Sequence, residues 1–239
     1  EAKNIVRADQ KVKNVSLSVR RGEILGIGGL VGAGRSELVE GIFGMQPLAS
    51  GEIYVKGKQV KVLSPRDIIR EGVALITEDR KVTGLNLSGS VNDNIAMVAI
   101  KKLLSHGLYN KNKALSASRE YIEKLNIKTP SGSQIVGNLS GGNQQKVVIA
   151  KWLLNEPDVI ILDEPTRGID VAAKRDIYLL LGDLVRQGKA VILISSEIPE
   201  LMGICDRIIV MCEGNYSGEV QRGEFSQERI MTLASAIKV

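Results

Sequence analysis

Gly29-Leu30-Val31-Gly32-Ala33-Gly34-Arg35-Ser36 is the stretch on which the reading of this chain turns. The apolar run Glu23-Ile24-Leu25-Gly26-Ile27 before it reads as a buried strand. In Glu37-Leu38-Val39-Glu40-Gly41-Ile42-Phe43 after it, Val39, Ile42 and Phe43 fall at helical spacing. Strand, glycine loop and helix together form the context that a phosphate-binding loop requires. The glycines let backbone N–H groups converge on a phosphate, and a helix N-terminus adds the positive end of a dipole. The stretch departs from the G-x-x-x-x-G-K-[ST] pattern at one position, Arg35, where a lysine is expected. A tight strand-to-helix turn with no ligand is the alternative reading of the loop taken alone.

Composition narrows the function classes. With 239 residues the chain can build a sizeable core, and it fits one large α/β domain or two small ones. A formal net charge of +5 suits an anionic ligand or a membrane-facing surface. Nucleic acid is not indicated, because no dense Lys/Arg stripe with interleaved aromatics is present. Pairs such as Arg20-Arg21 and Lys101-Lys102 read as solvated faces. Cys205 and Cys212 match no metal spacing and read as small buried thiols in a reducing cytosol. His106, the only histidine, lies in the polar stretch Ser105-His106-Gly107 and reads as a surface or capping residue. No apolar run approaches the length of a membrane span, and no signal peptide is visible. The chain starts at Glu1 rather than Met and leads straight into a strand-like pattern, which reads as a segment of a longer protein.

Along the chain, β patterns dominate the first sixty residues. Val15 to Val19 alternates, and Gly51–Val55 and Gln59–Val62 flank the hairpin signal Lys56-Gly57-Lys58. Ser64-Pro65-Arg66-Asp67 starts a short helix. Gly72 to Ile76 is then a buried strand ending in the polar cluster Thr77-Glu78-Asp79-Arg80, at the kind of strand end where open α/β sheets bind ligands. From about Val82 to Gly137 strand patterns vanish, and Leu115, Ser118, Ile122 and Leu125 are expected on one face of a helix over Lys113 to Leu125; this stretch reads as an inserted helical subdomain. A helix runs through Val147 to Leu154. Val159-Ile160-Ile161-Leu162 is a strand buried on both faces, and Asp170 can cap a helix whose stripe is Ile177, Leu180, Leu181 and Leu184. Ala190–Ile194, Arg207–Cys212 and Tyr216–Val220 complete a mostly parallel sheet covered on both sides.

A phosphate site that uses Mg²⁺ needs a carboxylate nearby to orient the ion. The strand ending in Asp163-Glu164 supplies one, with Asp163 in the metal's outer shell, Ser36 on the metal directly and Glu164 to polarise a water. The alternative is that Asp163-Glu164 merely caps the following turn.

Four motifs in order resemble a known family. Leu139-Ser140-Gly141-Gly142-Asn143 looks like the signature of the ABC ATPases, with Asn143 for the usual glutamine. Val159 to Thr166 looks like their Walker B strand and Gly168-Ile169-Asp170 like their D-loop, behind the phosphate loop. Gly29 to Ser36, Thr77 to Lys81, Asn143 to Lys146, Glu164 to Asp170 and Ile194 to Glu197 further resemble the second cassette of fused twin-cassette ATPases of bacterial ribose and galactose importers. The resemblance covers the whole chain. It implies an α/β fold: a P-loop NTPase core with a mostly parallel sheet, an N-terminal antiparallel β part and an inserted helical subdomain. It implies one nucleotide-binding domain over 1–239, its core about 1–81 and 151–239 and its helical part about 82–150.

The resemblance also implies ATP and Mg²⁺ as cofactors. ATP would be held by Gly29, Gly32, Ala33, Gly34, Arg35, Ser36, Glu37 and Asp163, and across a dimer by Leu139, Ser140, Gly141, Gly142, Asn143 and Asp170. Ser36, Asp163 and Glu78 would serve the metal, and Glu164, Ser196 and Glu78 the reaction. The partners implied are a second cassette, the N-terminal half of the same polypeptide, and permease subunits that dock between the two subdomains. A sugar-binding protein acts indirectly, and the location is the cytoplasmic face of the inner membrane. Four departures point to a degenerate site: Arg35 for lysine, Glu78 for the Q-loop glutamine, Ser196 for the switch histidine, and no adenine-stacking aromatic ahead of Phe43. A lost base–aromatic stack alone is worth about 1–3 kcal/mol. A regulatory cassette that only completes a partner's site is the second reading. A cassette acting on DNA or ribosomes is a third, which the lack of coiled-coil heptads and of an arginine-rich arm disfavours.

Overall fold

Apolar runs become the strands, and glycines, asparagines and capping side chains set where they stop. The computed structural model of the protein describes residues 1–236. Its first strands and helices are β1 (Ala2–Arg7), β2 (Val15–Leu17), β3 (Ile24–Gly29), α1 (Arg35–Ile42), β4 (Leu48–Val55), β5 (Lys58–Val60), α2 (Pro65–Arg70) and β6 (Val73–Ile76). There follow α3 (Val91–Ala96), β7 (Leu104–Ser105), β8 (Leu108–Tyr109), α4 (Lys111–Lys124), α5 (Gly141–Leu153) and β9 (Val159–Asp163). The last are α6 (Val171–Arg186), β10 (Ala190–Ile194), α7 (Ile198–Ile204), β11 (Arg207–Cys212), β12 (Asn215–Gln221) and α8 (Gln227–Ala234). No helix among the described residues is long and apolar enough to cross a membrane.

Two compact units result. The first comprises Glu1–Leu75, Asp158–Glu164 and the described residues from Gly182 on. It holds an antiparallel sheet in the order β2-β1-β4-β5, whose last hairpin turns on Lys56 (φ 53°) and Gly57 (φ 76°). Its second sheet has the order β12-β11-β3-β10-β9-β6. Within it β11, β3, β10 and β9 run parallel, and β12 returns antiparallel at the edge. All five residues of β10 are buried, as are four of the five in β9, which explains their continuous apolar runs. Register decides what meets at the carboxyl ends: Ile194 pairs with Ile27 of β3 on one side and with Asp163 of β9 on the other. The glycine loop, Ser195 and Asp163 therefore start from neighbouring strand ends. Both thiols are buried and unbridged, as expected of small core residues, and Cys205 Sγ lies 2.8 Å from where a Cβ on Gly26 of β3 would stand.

The second unit comprises Ile76–Pro157 and Pro165–Leu181. Side-chain caps set its helix starts: Ser90 accepts from Asp93 N–H at 3.1 Å and Asn110 from Lys113 N–H at 3.0 Å. Asn94, fully buried, holds the 86–90 turn by donating to Asn86 O and Ser90 O, both at 2.9 Å. Tyr121 of α4 donates to Leu153 O of α5 at 2.8 Å. Lys151, buried in α5, donates to Gly84 O, and burial lowers its pKa to about 8. Three expectations are corrected. Strands do not vanish from this region, because β7 and β8 form a small ribbon with His106 (φ 52°) and Gly107 (φ 82°) at its turn. The buried face of α4 is Ala114, Ser118, Tyr121 and Leu125, leaving Leu115 and Ile122 half-buried. The stripe of α6 is Ala173, Ile177, Leu181 and Leu184, with Leu180 half-buried.

Leu162, fully buried in β9, and Leu179, 57 % exposed on α6, separate packing from composition. Leu162→Ala is expected to cost about 3 kcal/mol in urea unfolding, and Leu179→Ala to stay within about 0.5 kcal/mol.

Candidate functional site

Backbone geometry shapes the glycine loop. Gly29 sits at φ +152°, where a Cβ would come within 2.5 Å of Met211 O. Gly34 sits at φ +92°, where one would meet Lys11 O at 2.8 Å. Neither position tolerates a side chain. The loop closes through Ala33 N–H to Leu30 O at 3.0 Å, and the Gly214 amide between β11 and β12 pins it by donating to Ala33 O at 3.0 Å. The ladder of α1 begins with Leu38 N–H donating to Gly34 O at 2.9 Å. The N–H groups of Arg35, Ser36 and Glu37 precede it, at the positive end of the helix. Such a cradle suits a phosphate. Glu37 is engaged by Lys11, whose Nζ lies 3.5 Å from its Oε1.

Asp163, 4 % exposed, ends β9 beside this helix. Burial pushes its pKa up to about 6, against a lowering hydrogen bond from Ser36. Its Oδ1 is buried without a hydrogen-bond partner. A hydroxyl and a carboxylate oxygen with an open lone pair are donors that Mg²⁺ accepts, and both are held where a loop-bound phosphate would supply further oxygens. The residues fit that ion. Among the described residues no group of three or more His, Cys, Asp or Glu could hold a metal.

Glu164 turns the chain at φ 48°, a left-handed conformation uncommon outside glycine, with its N–H donating to Ile194 O at 3.0 Å. Burial raises its pKa. Arg35 is the surprise. Its side chain is only 10 % exposed, and Nη1 donates to Ser195 O at 2.6 Å while Nη2 lies 3.6 Å from Glu164 Oε1. Ser196 Oγ donates to the other oxygen of Glu164 at 3.2 Å. The guanidinium at the lysine position thus spends its charge on the carboxylate that would activate water.

In the second unit the signature positions open α5. Ser140 occupies the N-cap position, and its Oγ accepts from Asn143 Nδ2 at 2.9 Å, while Asn143 Oδ1 accepts from Lys128 N–H at 2.8 Å. Asn143, short for a glutamine position, is therefore the brace of the turn that begins at Leu139. Gly142 is required by close packing, since a Cβ there would lie 2.5 Å from Ala173 Cβ. Asp170 caps α6 as expected, accepting from Ala173 N–H at 2.9 Å. Glu78 is paired with Arg167. Sequence reasoning passed over Arg80 and Arg167, although both lie inside quoted motifs; what it lacked was the fold that joins them.

Residues 12–167 match the ABC transporter family. The chain is 51 % identical over 236 residues to the ribose import ATP-binding protein of Clostridium tetani, covering 98 % of this chain and 47 % of that protein. It is 48 % identical over 237 residues to the galactose/methyl galactoside import ATP-binding protein of the same organism, again 98 % and 47 %. The chain thus spans about half the length of these curated relatives. Among solved structures it is similar in fold to a dimeric ATP-binding cassette bound to ADP and Pi, with TM-score 0.79 and 24 % identity over 92 % of this chain and 97 % of that one. A nucleotide-free ATP-binding cassette gives TM-score 0.80 and 22 % identity over 98 % and 94 %.

Because Asp163 carries a raised pKa, its charge costs stability above pH 6, and the cost fades as the folded protein takes up the proton between pH 6 and pH 4. Asp163→Asn is expected to stabilise the nucleotide-free chain at pH 8 by up to about 3 kcal/mol, with the gain shrinking below about 1 kcal/mol at pH 4. Urea unfolding at both pH values measures it.

Proposed function

We propose, for a chain that belongs to the ABC transporter family, that it is one ATP-binding cassette of a sugar importer. Acting with a partner cassette, it would bind and hydrolyse ATP to drive a membrane permease. The kinship with ribose and galactose import ATP-binding proteins supports a sugar as cargo. We take 1–239 as a single nucleotide-binding domain, core about 1–81 and 151–239 and helical part about 82–150, forming the C-terminal half of a twin-cassette protein. It would sit peripherally at the cytoplasmic face of the membrane, with permease subunits in contact and a sugar-binding protein beyond them.

In this reading the loop amides and the N-terminus of α1 hold the β- and γ-phosphates, and Ser36 and Asp163 hold Mg²⁺. When bound, that ion supplies neutralisation of phosphate charge. Glu164 orients the attacking water and accepts its proton. Catalysis of this kind is positioning and electrostatics, not covalent chemistry. Ser140, Gly141 and Gly142 present the start of α5 to the partner's nucleotide.

One observation carries the view that this cassette's own site is degenerate: Arg35 lies on Ser195 O and Glu164. A planar, permanently charged fork held between a carbonyl and the general base withholds both its own charge from phosphate and the base from water. The same observation favours the second reading, a regulatory cassette that hydrolyses nothing and lends its signature to a partner.

Calorimetric titration of ATP into the chain tests the site: micromolar binding that needs Mg²⁺ and weakens in Ser36→Ala is expected. Arg35→Lys is expected to raise Mg²⁺-dependent turnover by about tenfold, the factor carried by about 1.4 kcal/mol, and Glu164→Gln to abolish the gain. Absence of binding sinks the catalytic reading in favour of the regulatory one.

A further inference from the structure

Glu78 stands at the Q-loop position, yet its carboxylate is taken by Arg167, one residue past Thr166 in the loop that follows Glu164. Arg167 is itself held from behind, since Arg80 Nη1 donates to its carbonyl oxygen at 3.1 Å. Arg80 then reaches the signature. A Cβ on Gly141 would lie 2.8 Å from Arg80 Nη2 and 3.3 Å from Gly168 O, so the guanidinium and the 167–168 backbone lie directly against the first residue of α5. Arg80 Nε is buried without a hydrogen-bond partner.

The segment that carries Glu78 and Arg80 is stiff. Asp79 Oδ1 accepts from Lys81 N–H at 2.8 Å and Val82 N–H at 3.1 Å, and Thr83 Oγ1 donates to Asp79 O at 2.8 Å. The far end of the 167–170 loop is fixed by Asp170 on Ala173 N–H. Asn143 locks the signature turn through Ser140. Three locally ordered segments thus meet at one point, joined by Glu78, Arg167 and Arg80. Arg80 takes hold of Arg167 by its main chain and Glu78 by its side chain, and a carboxylate attracts that guanidinium where a glutamine amide would not.

We infer that Glu78, Arg167 and Arg80 form a clamp that fixes the signature turn and the 167–170 loop as one piece. Glu78 in this role is a positioning residue, not a metal ligand. The clamp deepens the proposed function, because it presets the surface this cassette would offer to a partner's nucleotide. Arg167 and Glu78 are 68 % and 41 % exposed, so the pair adds little to global stability and its effect is local.

Amide hydrogen exchange on the 239-residue chain tests it, read at Gly141–Asn143 and Gly168–Asp170 with β9 as internal control. Glu78→Gln and Arg167→Ala are each expected to speed exchange about twofold to fivefold at both segments, the scale of an exposed ion pair, and to leave β9 unchanged. The charge swap Glu78→Arg with Arg167→Glu is expected to return exchange toward the original rates, which a merely structural loss does not do. Unchanged exchange in both single variants, or a swap as fast as the two singles combined, overturns the clamp. A rise that includes β9 reports general loosening and also overturns it. No nucleotide or partner enters the measurement, so its failure is separate from any failure of the proposed function.

Discussion

The Asp163 carboxylate closes a strand buried on both faces, and burial lifts its pKa to about 6. A single negative charge in that place is unfavourable without a positive neighbour. The Ser36 hydroxyl at the start of α1 answers part of the need, and one carboxylate oxygen remains without a partner. The strand order makes this arrangement unavoidable, since β10 sits between β3 and β9 and brings the two functional strand ends to either side of Ile194. The site is therefore built around a buried carboxylate with one unpartnered oxygen, which the sheet topology places beside the glycine loop.

Arg35 changes what the site does with that need. Held on Ser195 O and beside Glu164, it pairs with the second carboxylate while its charge also favours the ionised form of the first. The signature in the second unit is braced by Asn143 and by two close glycine contacts. Under the proposed function, the surface this chain would offer to another nucleotide is braced by its own side chains, while Glu164 already has an internal cation beside it.

Much of this was legible in the sequence because the decisive signals are local. An apolar run ended by glycines at fixed offsets marks Gly29 to Ser36, and a β-run ended by Asp163-Glu164 marks its partner; neither needs tertiary information. Helix faces were read less well. On α4 Ser118 and Leu125 are buried as expected, but Ala114 and Tyr121, weak signals in a polar helix, pack where Leu115 and Ile122 were expected; on α6 Ala173 extends the stripe by a turn and Leu180 stays half-buried at its margin. The β7–β8 ribbon escaped because two-residue strands have no periodicity to read. Departures from the motif could be seen, but their consequences could not: that Arg35 turns toward Glu164 and Glu78 toward Arg167 depends on residues far away in the chain.

The amide of Gly214 on Ala33 O gives the phosphate loop an anchor outside its own sequence, and Lys13 N–H, donating to Gly214 O at 2.7 Å, ties that anchor to the connection between β1 and β2. The ordering of the loop is accordingly completed during folding. A ligand arriving there would meet a loop already tethered, so little backbone entropy would be surrendered on association. Such a cradle is fastened by the β1–β2 and β11–β12 connections, so heat that loosens those connections loosens it too.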